Sequence, residues 1–135
     1  MRLRKIILCI VAKHNELGRL GERVAARYLL MNGYSIIASD WHYGHKDIDL
    51  VCNKDGTTVF VEVKTRATDN FGTPEDAVDY RKMRNLVSAA NVYMMRNNVE
   101  GPVRFDVIAV VGEREPFKVT HFPDAFNPVS YTHLR

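Results

Sequence analysis

The 135-residue chain predicts an α/β domain with a mixed sheet flanked by helices, and three observations lead there. Apolar residues recur at helical spacing in two long stretches, around 15–33 and 73–97. Short runs rich in β-branched residues lie between and after them, bounded by Gly, Asp and Asn. The resulting order is α, three strands, α, two strands. With 46% hydrophobic and 26% charged residues, a chain of this length can build one core without disulfide support.

The first helix is expected from about Asn15, an N-cap, to Gly33, a C-terminal stop, with Leu17, Leu20, Val24 and Tyr28 as its buried stripe. Ahead of it, Arg2, Arg4 and Lys5 precede the apolar run Ile6 to Ala12, which imitates a secretory signal. The run is at the short end for such a signal, no small-residue cleavage site follows, and it is far too short to span a membrane. Residues 1–13 are therefore read as a disordered or non-native extension. Tyr34 to Trp41 is a short strand, and Asp47 to Asn53 with Thr57 to Lys64 form a hairpin around Asp55-Gly56, a preferred two-residue loop. Residues 65–72 make a polar loop. Thr73-Pro74-Glu75-Asp76 opens the second helix with a cap, a proline and first-turn acids. That helix runs to about Asn97, with Tyr80, Met83, Val87, Ala90 and Met94 toward the core. Val103 to Val111 and Phe117 to Phe122 complete the sheet.

The hairpin carries the chemistry. With Asp55-Gly56 as the loop, Lys54 faces Thr57, Asp49 faces Glu62, and Asp47 faces Lys64. Directly opposed side chains have Cβ atoms about 5 Å apart, where like charges repel. Two facing carboxylates therefore call for a cation between them. Alternation puts Thr58, Phe60, Glu62 and Lys64 on one face and Thr57, Val59, Val61 and Val63 on the other, the core face. Oxygen ligands suit Mg²⁺ or Mn²⁺, and magnesium uses one or two carboxylates with waters and substrate phosphate. Such a metal activates water for hydrolysis, and Lys64 would orient that water or offset phosphate charge. The competing reading is a solvated hairpin face with a Glu–Lys pair; the opposed register favours the metal.

Glu22 falls at the margin of the first helix's apolar stripe, near Gly18, Ala25 and Leu29, either as a further metal-site acid or as a boundary glutamate reaching to water. Arg19, Arg23 and Arg27 form an i, i+4 row, read as a phosphate-facing stripe or a solvated basic face. Lys46, Lys64, Arg66, Arg81, Lys82 and Arg84 add positive charge, some of it near the hairpin end. Contacts of this kind give affinity for nucleic acid without reading its sequence. The net charge of +3 is compatible with such a partner but selects none. Trp41, His42 and Tyr43 either stack on a base or pack as an ordinary strand end, and His45 lies close to the acidic strand. Asp106 reads as a structural anchor at a strand start. Cys9 and Cys52 have neither zinc-ligand spacing nor a disulfide framework, which fits a cytoplasmic protein. The absence of GxSxG, P-loop and GxGxxG motifs argues against serine hydrolase, NTPase and dinucleotide-binding functions.

These residues together resemble the YraN family, bacterial proteins within the restriction-endonuclease-like superfamily. The resemblance runs from His14-Asn15-Glu16-Leu17-Gly18 to about Asn127. It rests on Leu20-Gly21-Glu22 with Ala25, on Asp47-Ile48-Asp49-Leu50, and on Val59-Phe60-Val61-Glu62-Val63-Lys64-Thr65-Arg66. Phe71-Gly72, Lys82 and Arg104-Phe105-Asp106-Val107-Ile108 continue it. The resemblance implies an α/β/α sandwich over residues 14–127, a nuclease-like domain in which an aspartate and an ExK strand bind a divalent metal. By position Asp49, Glu62 and Lys64 would form that core, with Glu22 as the helix-one acid. Many members read Arg-Gly-Glu-Ile-Asp where this chain has His45-Lys46-Asp47-Ile48-Asp49, which leaves the role of Asp47 open. The implied function is Mg²⁺- or Mn²⁺-dependent phosphodiester hydrolysis, with DNA as the partner contacted by Arg19, Arg23, Lys46, Arg66 and Lys82. A non-catalytic nucleic-acid-binding module or adaptor is the alternative. Small resolvase-like domains often form homodimers, although no dimer seam is legible here. Residues 128–135 look like translated read-through and are read as an unstructured tail.

Overall fold

Five strands lie side by side in chain order: β1 (Ser35–Tyr43), β2 (Lys46–Lys54), β3 (Thr57–Arg66), β4 (Val103–Val111) and β5 (Lys118–Phe122). The β3–β4 pair is parallel and the other three pairs are antiparallel, so the sheet is mixed. Helix α1 (Arg2–Met31) covers one face and α2 (Tyr80–Asn97) the other, giving the α/β/α sandwich expected. This computed structural model describes residues 2–70 and 72–127; Phe71 and the tail 128–135 lie outside the described residues.

The two cores divide β3 between them. Val59 and Val61 pack with Ala25, Leu29, Leu50 and Ile108 under α1. Phe60 packs with Met83, Leu86, Tyr93 and Phe105 under α2. The expectation that only the odd-numbered residues of β3 face a core is therefore corrected. Thr58 and Phe60 are also buried, because a central strand with a helix on each side has two apolar faces.

Three helix expectations change as well. The α1 helix begins at Arg2 rather than near Asn15, so residues 2–13 are helical where a disordered extension was expected. No Gly or Pro interrupts residues 2–17, and Leu, Arg, Lys and Ala are good helix formers. The line of deepest burial on α1 is Gly21, Ala25 and Leu29; Leu17, Leu20, Val24 and Tyr28 flank it, half-buried. The second helix is in two pieces. Thr73 caps a 3₁₀ turn, Pro74–Ala77, through a capping box with Asp76. The chain extends at Val78, and the Asp79 side chain caps α2 by accepting hydrogen bonds from the Arg81 and Lys82 amides. Tyr80 therefore opens α2 half-exposed, and Met83, Leu86, Ala89, Ala90 and Tyr93 form its buried face.

Asp106 is the anchor the sequence suggested. Its fully buried carboxylate accepts two hydrogen bonds from Arg104 (2.8 and 2.7 Å) and one from the Asp124 amide (2.9 Å), and lies 2.7 Å from His121 Nε2. Arg104 also donates to the Tyr34 hydroxyl, and Tyr28 reaches His121 Nδ1, so the network ties β4 and β5 to the C-terminal end of α1.

A candidate carboxylate site where β2 and β3 part

The hairpin turn is as expected. Asp55 and Gly56 both take positive φ (50° and 87°), and the ladder runs from Lys54↔Thr57 to Leu50↔Val61. Backbone pairing then stops, and this corrects the two oppositions read from the sequence. Asp49 and Glu62 lie just past the last paired residues, and Asp47 pairs with His42 of β1 rather than with Lys64. The strands part because the Asp49 carboxylate takes the Val63 amide (2.8 Å), a donor that a continuing ladder would give to a β2 carbonyl. One carboxylate is thereby fixed at the fork, half-buried, with Glu62 beside it on β3.

The approach of α1 brings a third acid toward Asp49. A Cβ on Gly21 would fall on the Thr65 side chain, 2.7 Å from Cγ2 and 2.8 Å from Cβ. Glycine is therefore what lets the helix lie against β3 at this level. The next residue, Glu22, comes within hydrogen-bonding reach of Asp49. From the opposite face α2 contributes Lys82, whose Nζ lies 3.8 Å from Glu62. A cavity of about 420 Å³ opens over the acids, walled by His45, Asp47, Asp49, Glu62, Lys82 and Asn85.

The charges are poorly compensated. Burial, reinforced by Asp49 and Asp40, pushes the Glu22 carboxyl up to about 7. Burial and the charge of Asp49 push Glu62 up to about 7 against the opposing pull of Lys82. Burial also raises Asp49, offset in part by the Val63 amide. Lys64 is lowered by burial and by its neighbours Lys82 and Arg66. Such a group of acids holds either protons or a cation among its members. Its hard oxygen donors fit a divalent ion of the magnesium type, which needs only one or two carboxylates with water. Among the described residues, no three His, Cys, Asp or Glu side chains close into a ready-made metal cage.

The structure thus sets Asp49 and Glu62 in one cavity, with Glu22 near Asp49 from α1 and Lys64 at the edge. Lys64 lines a neighbouring hollow with Arg66, Asp69 and Thr73 rather than the carboxylate cavity, leaving Lys82 as the cation bridged to Glu62. Lys46 donates to Ser88 beside the same cavity. Arg19 and Arg23 are exposed, and Arg23 borders a separate hollow with Lys13, Leu17 and Glu113. Arg27, also exposed, lies 3.6 Å from Glu115. Sequence reasoning passed over Asp40, whose charge acts on both Glu22 and Asp49, and Asn85. The latter was findable: Lys82, Asn85 and Ser88 recur every third residue, one polar strip along α2.

The fold and this fork define an α/β/α domain with carboxylates gathered at the mouth of a central hairpin. Residues 21–110 match the model of the uncharacterised protein family UPF0102, and the chain belongs to that family, also called YraN. It is 44% identical over 118 residues to a UPF0102 protein of Phocaeicola vulgatus, covering 87% of this chain and 98% of that relative. It is 43% identical over 116 residues to one of Flavobacterium psychrophilum, covering 86% and 98%, and 45% identical over 118 residues to one of Bacteroides thetaiotaomicron, covering 87% and 98%. Among the described residues, no helix is long and apolar enough to cross a membrane.

Proposed function

We propose that this protein is a divalent-metal-dependent nuclease that hydrolyses phosphodiester bonds, in DNA, in the cytoplasm. One observation supports the reading: Asp49 and Glu62, from two strands, share one cavity with too little positive charge to neutralise them, while Glu22 of α1 acts on Asp49. Asp49 and Glu62 would hold Mg²⁺ or Mn²⁺, with Glu22 supporting the ion directly or through water. Bound there, the metal would offset phosphate charge and lower the pKa of an attacking water.

The chain's own residues supply the rest. The Val63 amide keeps one oxygen of Asp49 engaged and so fixes the orientation of its carboxylate. Lys82 keeps positive charge on Glu62 from the α2 side. Lys64, its pKa lowered, holds a proton less tightly than an exposed lysine and is suited to orienting or deprotonating water at the cavity edge. Arg66 and Lys46, on either side of the acids, would contact flanking phosphates, while Arg19 and Arg23 extend the positive surface along α1.

The test is cleavage of branched, nicked, single-stranded and duplex DNA in Mg²⁺ or Mn²⁺. Activity in the wild type that disappears in Asp49→Ala and Glu62→Ala supports the reading, and activity unchanged in both variants refutes it. The position of Lys64, which lines a neighbouring hollow rather than the carboxylate cavity, favours a second reading, a nucleic-acid-binding module that does not cut. Salt-sensitive binding without cleavage on every substrate and metal would select it.

A further inference from the structure

A second cavity, of about 580 Å³, adjoins the carboxylate cavity and shares His45, Asp47 and Asn85 with it. Its other walls are Tyr43 and Lys46, at the end of the β1–β2 hairpin, and Ser88 of α2. Tyr43 is 47% exposed although its ring is braced, with Trp41 lying nearly parallel (centroids 6.4 Å apart, 12° between planes) and Arg96 standing 4.5 Å over its centroid. These contacts hold the ring in place before any ligand arrives, so a base that packs on its exposed surface has little ordering left to offset. Asn85 faces both cavities, and its amide has no hydrogen-bond partner among the described residues. It offers one donor and one acceptor group, the complement of a base edge. Lys46 is steadied by Ser88 at the opposite wall.

We propose that this second cavity receives one unpaired nucleobase, that of the nucleotide next to the phosphate held at the carboxylates. A base inside a duplex has both faces covered by its neighbours and its pairing edge occupied. Only an unpaired or extruded nucleotide can present a face to Tyr43 and an edge to Asn85 together. The substrate class is therefore nucleic acid carrying at least one unpaired nucleotide beside the scissile phosphate, such as a flap, bulge or single strand. The inference rests on the nuclease reading above and goes beyond it in naming the substrate.

The test compares three oligonucleotides: a duplex, the same duplex with one unpaired nucleotide, and a third in which that nucleotide lacks its base. Binding is read by fluorescence anisotropy and cleavage in Mg²⁺ or Mn²⁺, for wild type, Tyr43→Ala and Asn85→Ala. The wild type should favour the unpaired nucleotide about ten-fold or more over both the baseless substrate and the duplex, the scale of one base–aromatic stack. Either variant should narrow that preference to within a few-fold. Asn85 is exposed, and the baseless substrate needs no variant, so a folding defect in Tyr43→Ala leaves the test intact. Wild-type binding or cleavage indifferent to the base overturns the subsite alone. Wild-type protein that neither binds nor cuts any of the three overturns the subsite and the nuclease reading together.

Discussion

Glu62→Gln should stabilise the metal-free protein at alkaline pH, and the size of the gain follows from the site. The Glu62 side chain is only 16% exposed, and burial with Asp49 alongside moves its carboxyl from the usual 4.5 to about 7. Holding such a group ionised at pH 8 costs about 3 kcal/mol, taking ~1.4 kcal/mol per tenfold change in proton affinity. A glutamine of the same shape removes that cost and forgoes the half-exposed contact with Lys82, worth at most about 1 kcal/mol. The net gain is about 2–3 kcal/mol, or roughly 7–11 °C in Tm for a domain of this size. The sign with pH is fixed: a carboxyl raised in the folded state stabilises the fold below about 4.5, and that contribution is lost as pH rises through about 7. Thermal melts in EDTA at pH 5.5 and pH 8 are the assay. The gain should be largest at pH 8 and fall to less than half that size at pH 5.5, where the unfolded carboxyl is still mostly ionised. A variant that is less stable than wild type at pH 8, or that gains equally at both pH values, refutes the reasoning.

Gly21→Ala should destabilise the protein by about 1–3 kcal/mol, the cost of overpacking, because the new methyl falls on Thr65. Adding Thr65→Ala should restore part of the loss in a denaturant titration, and strictly additive effects would count against the close approach. Asp106→Ala should cost about 3–5 kcal/mol, since it leaves Arg104 without its buried partner. Burial works to raise the Asp106 carboxyl, but Arg104, His121 and the Asp124 amide together hold it below its ordinary range. Its contribution is therefore present above the ordinary carboxylate range and lost as pH falls through the lowered value, so the gap between wild type and variant should narrow in acid. Lys82→Met should raise Glu62 above about 7, as read by carboxyl NMR, because the opposing cation is gone.

Local chemistry made much of this fold legible. Asp55-Gly56 set the hairpin and its register, and Gly33, at φ 85°, ends α1 where its φ-tolerance suggested. The break between the 3₁₀ turn and α2 was hidden because Thr73-Pro74 already reads as a complete helix start, masking the second cap at Asp79. The buried line on α1 was displaced because its first member is Gly21, which carries no hydrophobic signal and is buried through close approach alone. Burial of Phe60 on the face read as the site's own followed from coverage by a second helix, which alternation along one strand does not reveal. At the site, register alone pointed to Asp49 and Glu62. The contact between Glu22 and Asp49, and the nearness of Lys82 to Glu62, depend on how two helices dock from opposite faces.

The central claim is that Asp49 anchors a divalent cation at the fork of β2 and β3. Calorimetric titration of the wild type and of Asp49→Asn with Mg²⁺ and Mn²⁺ tests it most directly. The asparagine keeps a side-chain oxygen that can still accept from the Val63 amide, so the fold should survive while the charge is removed. The account predicts saturable divalent binding to the wild type that is lost in the variant. Equal binding to both proteins, or no binding to the wild type, contradicts it.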